Sequence, residues 1–169
     1  MSPRAHEKGV EIAWAVPATL PTILADEGRL RQILLNLVGN AVKFTEAGGV
    51  MLTATATAEG RIRFSVADTG PGVAPEARQR IFEAFVQTDI THATQLGGAG
   101  LGLAIVARLA GAMDGEVGVG GELGQGAEFW FEAPFEISAP ALRAAPLDGR
   151  GVAIASPNAI VRAATVRQI

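Results

Sequence analysis

Three short segments in a set order constrain this chain more than any other feature: NLVGNAVKFT at residues 36–45, DTGPGV at 68–73 and GGAGLGLA at 97–104. Each places glycine or amide residues, poor formers of regular structure, against strongly patterned apolar stretches. The fold must use its regular elements to present two amides, a carboxylate and bare glycine backbone.

The first segment lies in a helix expected over about residues 27–44, because Leu30, Ile33, Leu34, Leu37, Val38, Ala41 and Val42 recur at three- and four-residue steps. Asp26 is its expected N-cap. Asn36, Asn40 and Lys43 fall at i, i+4 and i+7, so they share a face beside the buried stripe. Asn and Gly are each less favourable than Ala in mid-helix by roughly 0.5–1 kcal/mol, yet Asn36, Gly39 and Asn40 sit there. One buried Asn alone is equally explained by pairing with backbone groups. An aligned lysine, one of only two in the chain, turns that face toward a site.

The second segment follows RIRFSVA, where Ile62, Phe64 and Val66 alternate with Arg61, Arg63 and Ser65 as in a half-buried strand. Asp68 at its end can accept a hydrogen bond from an exocyclic amine such as that of adenine, and Gly70 and Gly72 let a flat ring approach. DTGPG alone also reads as an ordinary strand-ending turn. The third segment opens a helix, LGLAIVARLAGAM, whose first N–H groups and dipole suit an anion such as polyphosphate. No GxxxxGK[ST] occurs, and Leu103 stands where a dinucleotide fingerprint needs its last glycine, so neither a P-loop nor a Rossmann turn is present. The three segments together read as an ATP site.

From about Val10 to Pro134 the chain resembles the catalytic ATP-binding domain of bacterial sensor histidine kinases, in the superfamily of type II topoisomerases, Hsp90 chaperones and MutL. NLVGNAVKFT resembles the N box, DTGPGV the first glycine box, IFEAF the F box, GGAGLGLA the second glycine box and GELGQGAEFWF the final glycine turn and strand. The resemblance implies an α/β two-layer sandwich of the Bergerat type, a mixed sheet under helices. It implies ATP and Mg²⁺ as ligands, with Asn40 on the metal, Asn36 lining the metal and phosphate region and Lys43 on phosphate oxygens. Asp68 would bind adenine, flanked by Gly70 and Gly72. Gly98, Gly100, Leu101, Gly102 and Leu103 would cradle phosphates under a lid of residues 86–99, anchored by Phe82 and Phe85. Hydrolysing cousins usually carry Glu at the Asn36 position; an amide cannot take a proton, which implies transfer to a partner over hydrolysis.

Some positions depart from the pattern. Ala84 stands where the F box commonly has Pro, and Ala99 where the second glycine box has Thr. The lid of active kinases usually carries Arg or Lys toward the γ-phosphate, whereas Thr94 aligns here. No Lys or Arg occurs between Arg80 and Arg108, and His92 is the only candidate cation there. A pseudokinase is therefore the alternative to a protein-histidine kinase.

Residue counts bound the rest. With 169 residues, 49% hydrophobic, the chain can bury one substantial core. A formal charge of −3 and no basic cluster argue against nucleic acid. Zero Cys excludes disulfides and thiolate zinc sites. No apolar run reaches the roughly 18 residues of a membrane span, so a soluble, cytoplasmic piece is expected, whatever anchors its parent.

The expected order is strands at 10–16 and 22–25, the long helix, a hairpin of VMLTATATA after a Gly48-Gly49 turn with 61–67, a short helix or turn at 76–85, the second glycine helix, and a closing hairpin of 115–120 with 127–134. Residues 1–137 form the ATP-binding domain, 138–147 a Pro- and Ala-rich linker, and 148–169 the start of a degenerate receiver domain, with Val152 to Ala155 as its strand and Ser156 and Pro157 where receivers need carboxylates. A strand and helix docked on the kinase domain is the alternative for that tail. His6 is expected ahead of the first strand, outside any helical phosphoacceptor motif. The implied partners are the phosphoacceptor helices of a homodimeric, hybrid parent kinase and a response regulator, with this domain monomeric by itself.

Overall fold

In the computed structural model, which describes residues 2–84, 100–140 and 159–166, the period-two and period-3.6 patterns of the sequence meet face to face. In chain order the elements are α1 (Ser2–Glu7), β1 (Val10–Ala15), β2 (Thr22–Leu24), α2 (Glu27–Phe44), β3 (Gly48–Ala56), β4 (Ile62–Asp68), α3 (Gly102–Gly111), β5 (Glu116–Gly121), β6 (Ala127–Ala133), β7 (Glu136–Ala139) and α4 (Ala159–Val166). Five strands form one sheet in the order β1-β3-β4-β6-β5, with β1 parallel to β3 and the other pairs antiparallel. This is the mixed sheet and two-layer α/β architecture expected from the sequence.

The helix layer packs on one face of that sheet. Ile33 and Leu37 of α2 and Val106 of α3 are fully buried against Val50, Val66 and Phe131. Asp26 caps α2, its Oδ1 accepting from the Arg29 N–H at 3.0 Å. Phe131 stacks on Phe64 with centroids 6.2 Å apart and meets Phe135 edge-on at 6.3 Å.

On the opposite face, Arg63 and Arg61 divide the two oxygens of the buried Glu132, at 2.7 and 3.0 Å. The Arg63 guanidinium also lies 4.3 Å from the Trp130 ring. A Cβ on Gly118 would come within 2.3 Å of Trp130 Cζ2, so the indole lies over bare backbone. Farther along that face α4 packs on β1 and β3, where Ala15, Met51 and Ala164 are buried with Ile160 and Ala163 beside them. The helix of the tail is therefore docked on the sheet, and the expected receiver strand at 152–155 lies outside the described residues.

Two expectations are corrected and two gain detail. The strand expected at 22–25 is β2, which pairs antiparallel with β7 apart from the main sheet, and β7 has no counterpart among the expected strands. Both strands are short and largely exposed, which erases the alternation that reveals a half-buried strand. Gly48 and Gly49 are the first two residues of β3 and not a turn before it. Gly48 has φ +98°, and a Cβ there would lie 2.3 Å from Thr69 Oγ1. The short helix or turn expected at 76–85 is, among the described positions, the pair of 3-10 turns Pro75–Ala77 and Arg80–Phe82. Finally, His6 lies inside a helix: α1 has six residues, too few for periodicity to show, and ends in a turn at Gly9 with φ +66°.

Removing the central ring tests this core. Phe131→Ala should lower unfolding free energy by about 3–5 kcal/mol, read as a lower urea midpoint at unchanged slope.

Candidate functional site

The site is built where α2 passes the start of α3 and the end of β4. Asn36 and Asn40 are half-buried, one turn apart on α2 beside its buried stripe. α3 begins directly in front of them. A Cβ at Gly102 would lie 3.6 Å from Asn36 Oδ1 and 3.7 Å from Asn40 Nδ2, so the two amides stand at ordinary contact distance from bare helix backbone. Gly100 turns the chain into α3 with φ +66°, and no side chain caps the helix at Leu101. Its first N–H groups therefore lack the partner that most helices supply from their own sequence, at the positive end of the dipole. Asn36 Nδ2 is buried and has no hydrogen-bond partner among the described residues. An orphaned buried donor beside an uncapped helix start suits an anionic ligand.

Lys43 lies one turn beyond Asn40 on α2, with its Nζ 4.7 Å from the centre of the Phe44 ring. Phe44 in turn reaches the second segment through its backbone: a Cβ on Gly70 would be 3.2 Å from the Phe44 carbonyl oxygen and 2.9 Å from Asp68 Oδ1. Only a glycine lets the strand end and the helix end approach this closely.

Asp68 is the last residue of β4. Its Oδ1 accepts from the Gly70 N–H at 2.8 Å and from the Ala127 N–H at 3.4 Å, while no described donor reaches Oδ2. Burial raises the Asp68 carboxyl above its ordinary 3.8, and the two backbone N–H bonds offset part of that. The fold thus holds one oxygen by backbone, and the other meets no donor among the described residues.

The final glycine turn contributes more than the sequence indicated. A Cβ on Gly126, where φ is +95°, would lie 2.0 Å from the Asp68 carbonyl oxygen, and one on Gly72, at φ +73°, would lie 2.5 Å from the Glu122 carbonyl oxygen. The turn 122–126 is therefore pressed against the DTGPG loop, bringing Ala127 N–H to Asp68. Thr69 locks the other side: its Oγ1 accepts from Gly49 N–H at 3.0 Å and donates to Ala47 O at 2.8 Å. The glycines of GELGQG signalled that turn, but nothing in the letters linked it to Asp68.

Phe82 packs at the edge of the main core and Ile81 is buried in it. Ala84, Leu101 and Leu103 are described as well. Phe85, Gly98, Ala99, Thr94, His92 and the rest of the lid at 86–99 lie outside the described residues. The described contacts bring Asn36 and Asn40 to Gly102 at the start of α3, and the Phe44 carbonyl, next to Lys43, to Gly70, whose N–H bonds Asp68.

This arrangement can be compared with known proteins. The family described as histidine kinase-, DNA gyrase B- and HSP90-like ATPase matches residues 25–137. The chain belongs to that family. It is 44% identical over 131 residues to the hybrid signal transduction histidine kinase K of Dictyostelium discoideum, covering 70% of this chain and 11% of that protein. It is 45% identical over 124 residues to the sensory/regulatory protein RpfC of Xanthomonas campestris pv. campestris, covering 70% of this chain and 17% of RpfC. Among solved structures, full-length ShkA in complex with AMPPNP is similar at TM-score 0.89 and 79% identity, over 99% of this chain and 34% of that one. The nucleotide-free catalytic domain of the histidine kinase ThkA is similar at TM-score 0.63 and 27% identity, over 79% and 84%. The chain is a histidine kinase ATPase domain of the two-component sensor kinase kind and spans 11% and 17% of the two curated relatives and 34% of the ShkA chain. Among the described residues no helix is long and apolar enough to cross a membrane.

The buried carboxylate generates a stability prediction. A pKa raised on folding means the neutral form fits the fold better. The Asp68 contribution is then fully present below its unfolded pKa and is lost as pH rises through the folded one. Asp68→Asn keeps an Oδ1 acceptor for Gly70 without the charge, so it should be at least as stable as the parent at neutral pH and flatten the pH dependence. Denaturant titrations at a series of pH values check this; a clearly less stable Asn variant at neutral pH would contradict it.

Proposed function

We propose that the chain binds Mg-ATP between α2, the end of β4 and the start of α3, and donates the γ-phosphoryl group to a histidine on a separate phosphoacceptor helix of its parent kinase. The observation that carries this is the orphaned Asn36 amide facing, with Asn40, the uncapped N-terminus of α3. Similarity to ShkA, described in complex with AMPPNP, supports the nucleotide.

On this reading Asp68 accepts from the adenine amino group through Oδ2, and Gly70 and Gly72 leave room for the ring. The first N–H groups of α3, with Gly100, Gly102 and the outlying Gly98, hold phosphate oxygens, and Lys43 swings from Phe44 to join them. Asn40 Oδ1 is the protein oxygen for Mg²⁺, and Asn36 lines the same region. No group of three or more His, Cys, Asp or Glu gathers among the described residues, which suits an ion held by one protein oxygen together with phosphates and water. When bound, Mg²⁺ neutralises charge on the phosphates being parted.

In the transfer an imidazole nitrogen of the partner histidine attacks the γ-phosphorus. A new N–P bond forms, the bond from that phosphorus to the β–γ bridging oxygen breaks, ADP leaves, and the imidazole proton passes to solvent. Asn36 cannot act as base toward water, so hydrolysis is slow beside transfer. A response regulator receives the phosphoryl group afterwards. The chain acts in the cytoplasm, and residues 148–169 begin a degenerate receiver domain.

Adenine nucleotides should bind in preference to GTP. Asp68→Asn should weaken ATP and ADP alike, whereas Asn40→Asp should disturb mainly the metal-dependent part. Calorimetry with and without Mg²⁺ measures both, and equal ATP and GTP affinities would refute the adenine assignment.

A second reading is favoured by one observation, the absence of Lys or Arg between Arg80 and Arg108. A cation at the γ-phosphate stabilises charge on the transferring group, and without one the domain would only report nucleotide occupancy. Thr94→Arg should raise the rate of phosphotransfer from labelled ATP in a parent protein containing the acceptor helices, with little change in ADP affinity. No transfer in either form would favour the pseudokinase.

A further inference from the structure

We propose that Lys8 is a positioning residue for the nucleotide site, fixing the last turn of α2 from the segment that enters the domain. The inference rests on the site reading above. Lys8 follows α1, whose Ala5 is 2% exposed in the main core, and precedes the Gly9 turn into β1. Its Nζ donates to three carbonyl oxygens at the end of α2: Val42 at 3.0 Å, Lys43 at 2.8 Å and Thr45 at 2.9 Å. An ammonium has three N–H donors, and all three are used.

Those carbonyls belong to a helix end without a glycine cap. Thr45 leaves α2 in extended conformation, φ −82° and ψ 125°, with its N–H bonded to Ala41 O. The usual left-handed closure, which would satisfy the last carbonyls from within the chain, is absent. A residue 34 to 37 positions earlier does that work, at the negative end of the helix dipole.

The turn it holds is the one the site uses. Lys43 is in it, Asn40 is one turn before it, and the Phe44 carbonyl, lying between two that Lys8 holds, is the atom that approaches Gly70 beside Asp68. Lys8 touches no residue proposed to bind adenine. Its loss would let the end of α2 move relative to α3 while leaving the Asp68, Gly70 and Ala127 contacts formed. Arg keeps the charge, but its planar fork cannot converge on three carbonyls around one nitrogen.

The test separates polyphosphate from base recognition in the 169-residue chain. Lys8→Met should weaken Mg-AMPPNP binding about tenfold with adenosine affinity unchanged, and Lys8→Arg should fall between Met and the parent, all measured well below the unfolding temperature. A purely structural lysine predicts a lower melting temperature with both affinities intact; that result, or equal loss of both ligands, overturns the proposal. If Lys8→Met fails to fold, the Arg variant carries the same comparison. Asn40→Asp in parallel identifies which idea fails. If it leaves Mg-AMPPNP affinity intact, the site reading is wrong; if it weakens binding and the Lys8 variants do not, only the Lys8 inference is.

Discussion

The structure depends on one helix satisfying two unlike neighbours. α2 must bury Ile33, Leu37, Val38, Ala41 and Val42 on the sheet while holding Asn36 and Asn40 against the start of α3. Burying each large aliphatic side chain contributes on the order of 1.5–3 kcal/mol. That outweighs the roughly 0.5–1 kcal/mol lost at each of Asn36, Gly39 and Asn40. The apolar face fixes the rotation of the helix, and rotation alone then determines where the amides point. A site built in this way is positioned by the same packing that folds the domain.

This explains why some features were legible and others were not. The stripe on α2, the alternation on β4 and the cap at Asp26 are local patterns with a period, and the structure carries them almost to the residue. Asp68 and Gly70 were readable as a polar strand end, but their support was not: Gly126, Ala127 and Thr69 act through contacts between segments far apart in sequence. A glycine in a turn gives no sign of which carbonyl it clears. β7 and its pairing with β2 escaped because β7 is four exposed residues, which leave no alternation. Lys8 was visible only as a rare residue; its function requires three carbonyls brought together by the fold.

Asp68 shows how such a site differs from the core around it. Elsewhere a buried carboxylate is neutralised: Glu132 has one arginine on each oxygen. Among the described residues Asp68 meets two backbone N–H groups, both on one oxygen, and burial raises its pKa. The second oxygen keeps hydrogen-bonding capacity that the fold does not consume. Stability would be better served by an amide or a paired charge. The combination of high local cost and an acceptor without a described donor is what the proposed adenine contact would use.

Asn36 makes the complementary case with a donor. Asp68 has an acceptor without a described donor, which the proposed function gives to a base, whereas Asn36 has a buried N–H beside a helix start already rich in N–H groups. Donors gathered at the positive end of a dipole repel a cation and attract an anion, so the two ends of the proposed cleft differ in sign of preference. A ligand that spans them needs an amine at one end and anionic oxygens at the other. The Asn40 amide, which offers an acceptor as well as donors, lies where both kinds of contact are possible, and there a bound divalent ion would let oxygen ligands from the protein and from the phosphates share one site. The chemistry of each end follows from whether the fold leaves a donor or an acceptor unsatisfied, and that is decided by which segments pack together, not by any residue alone.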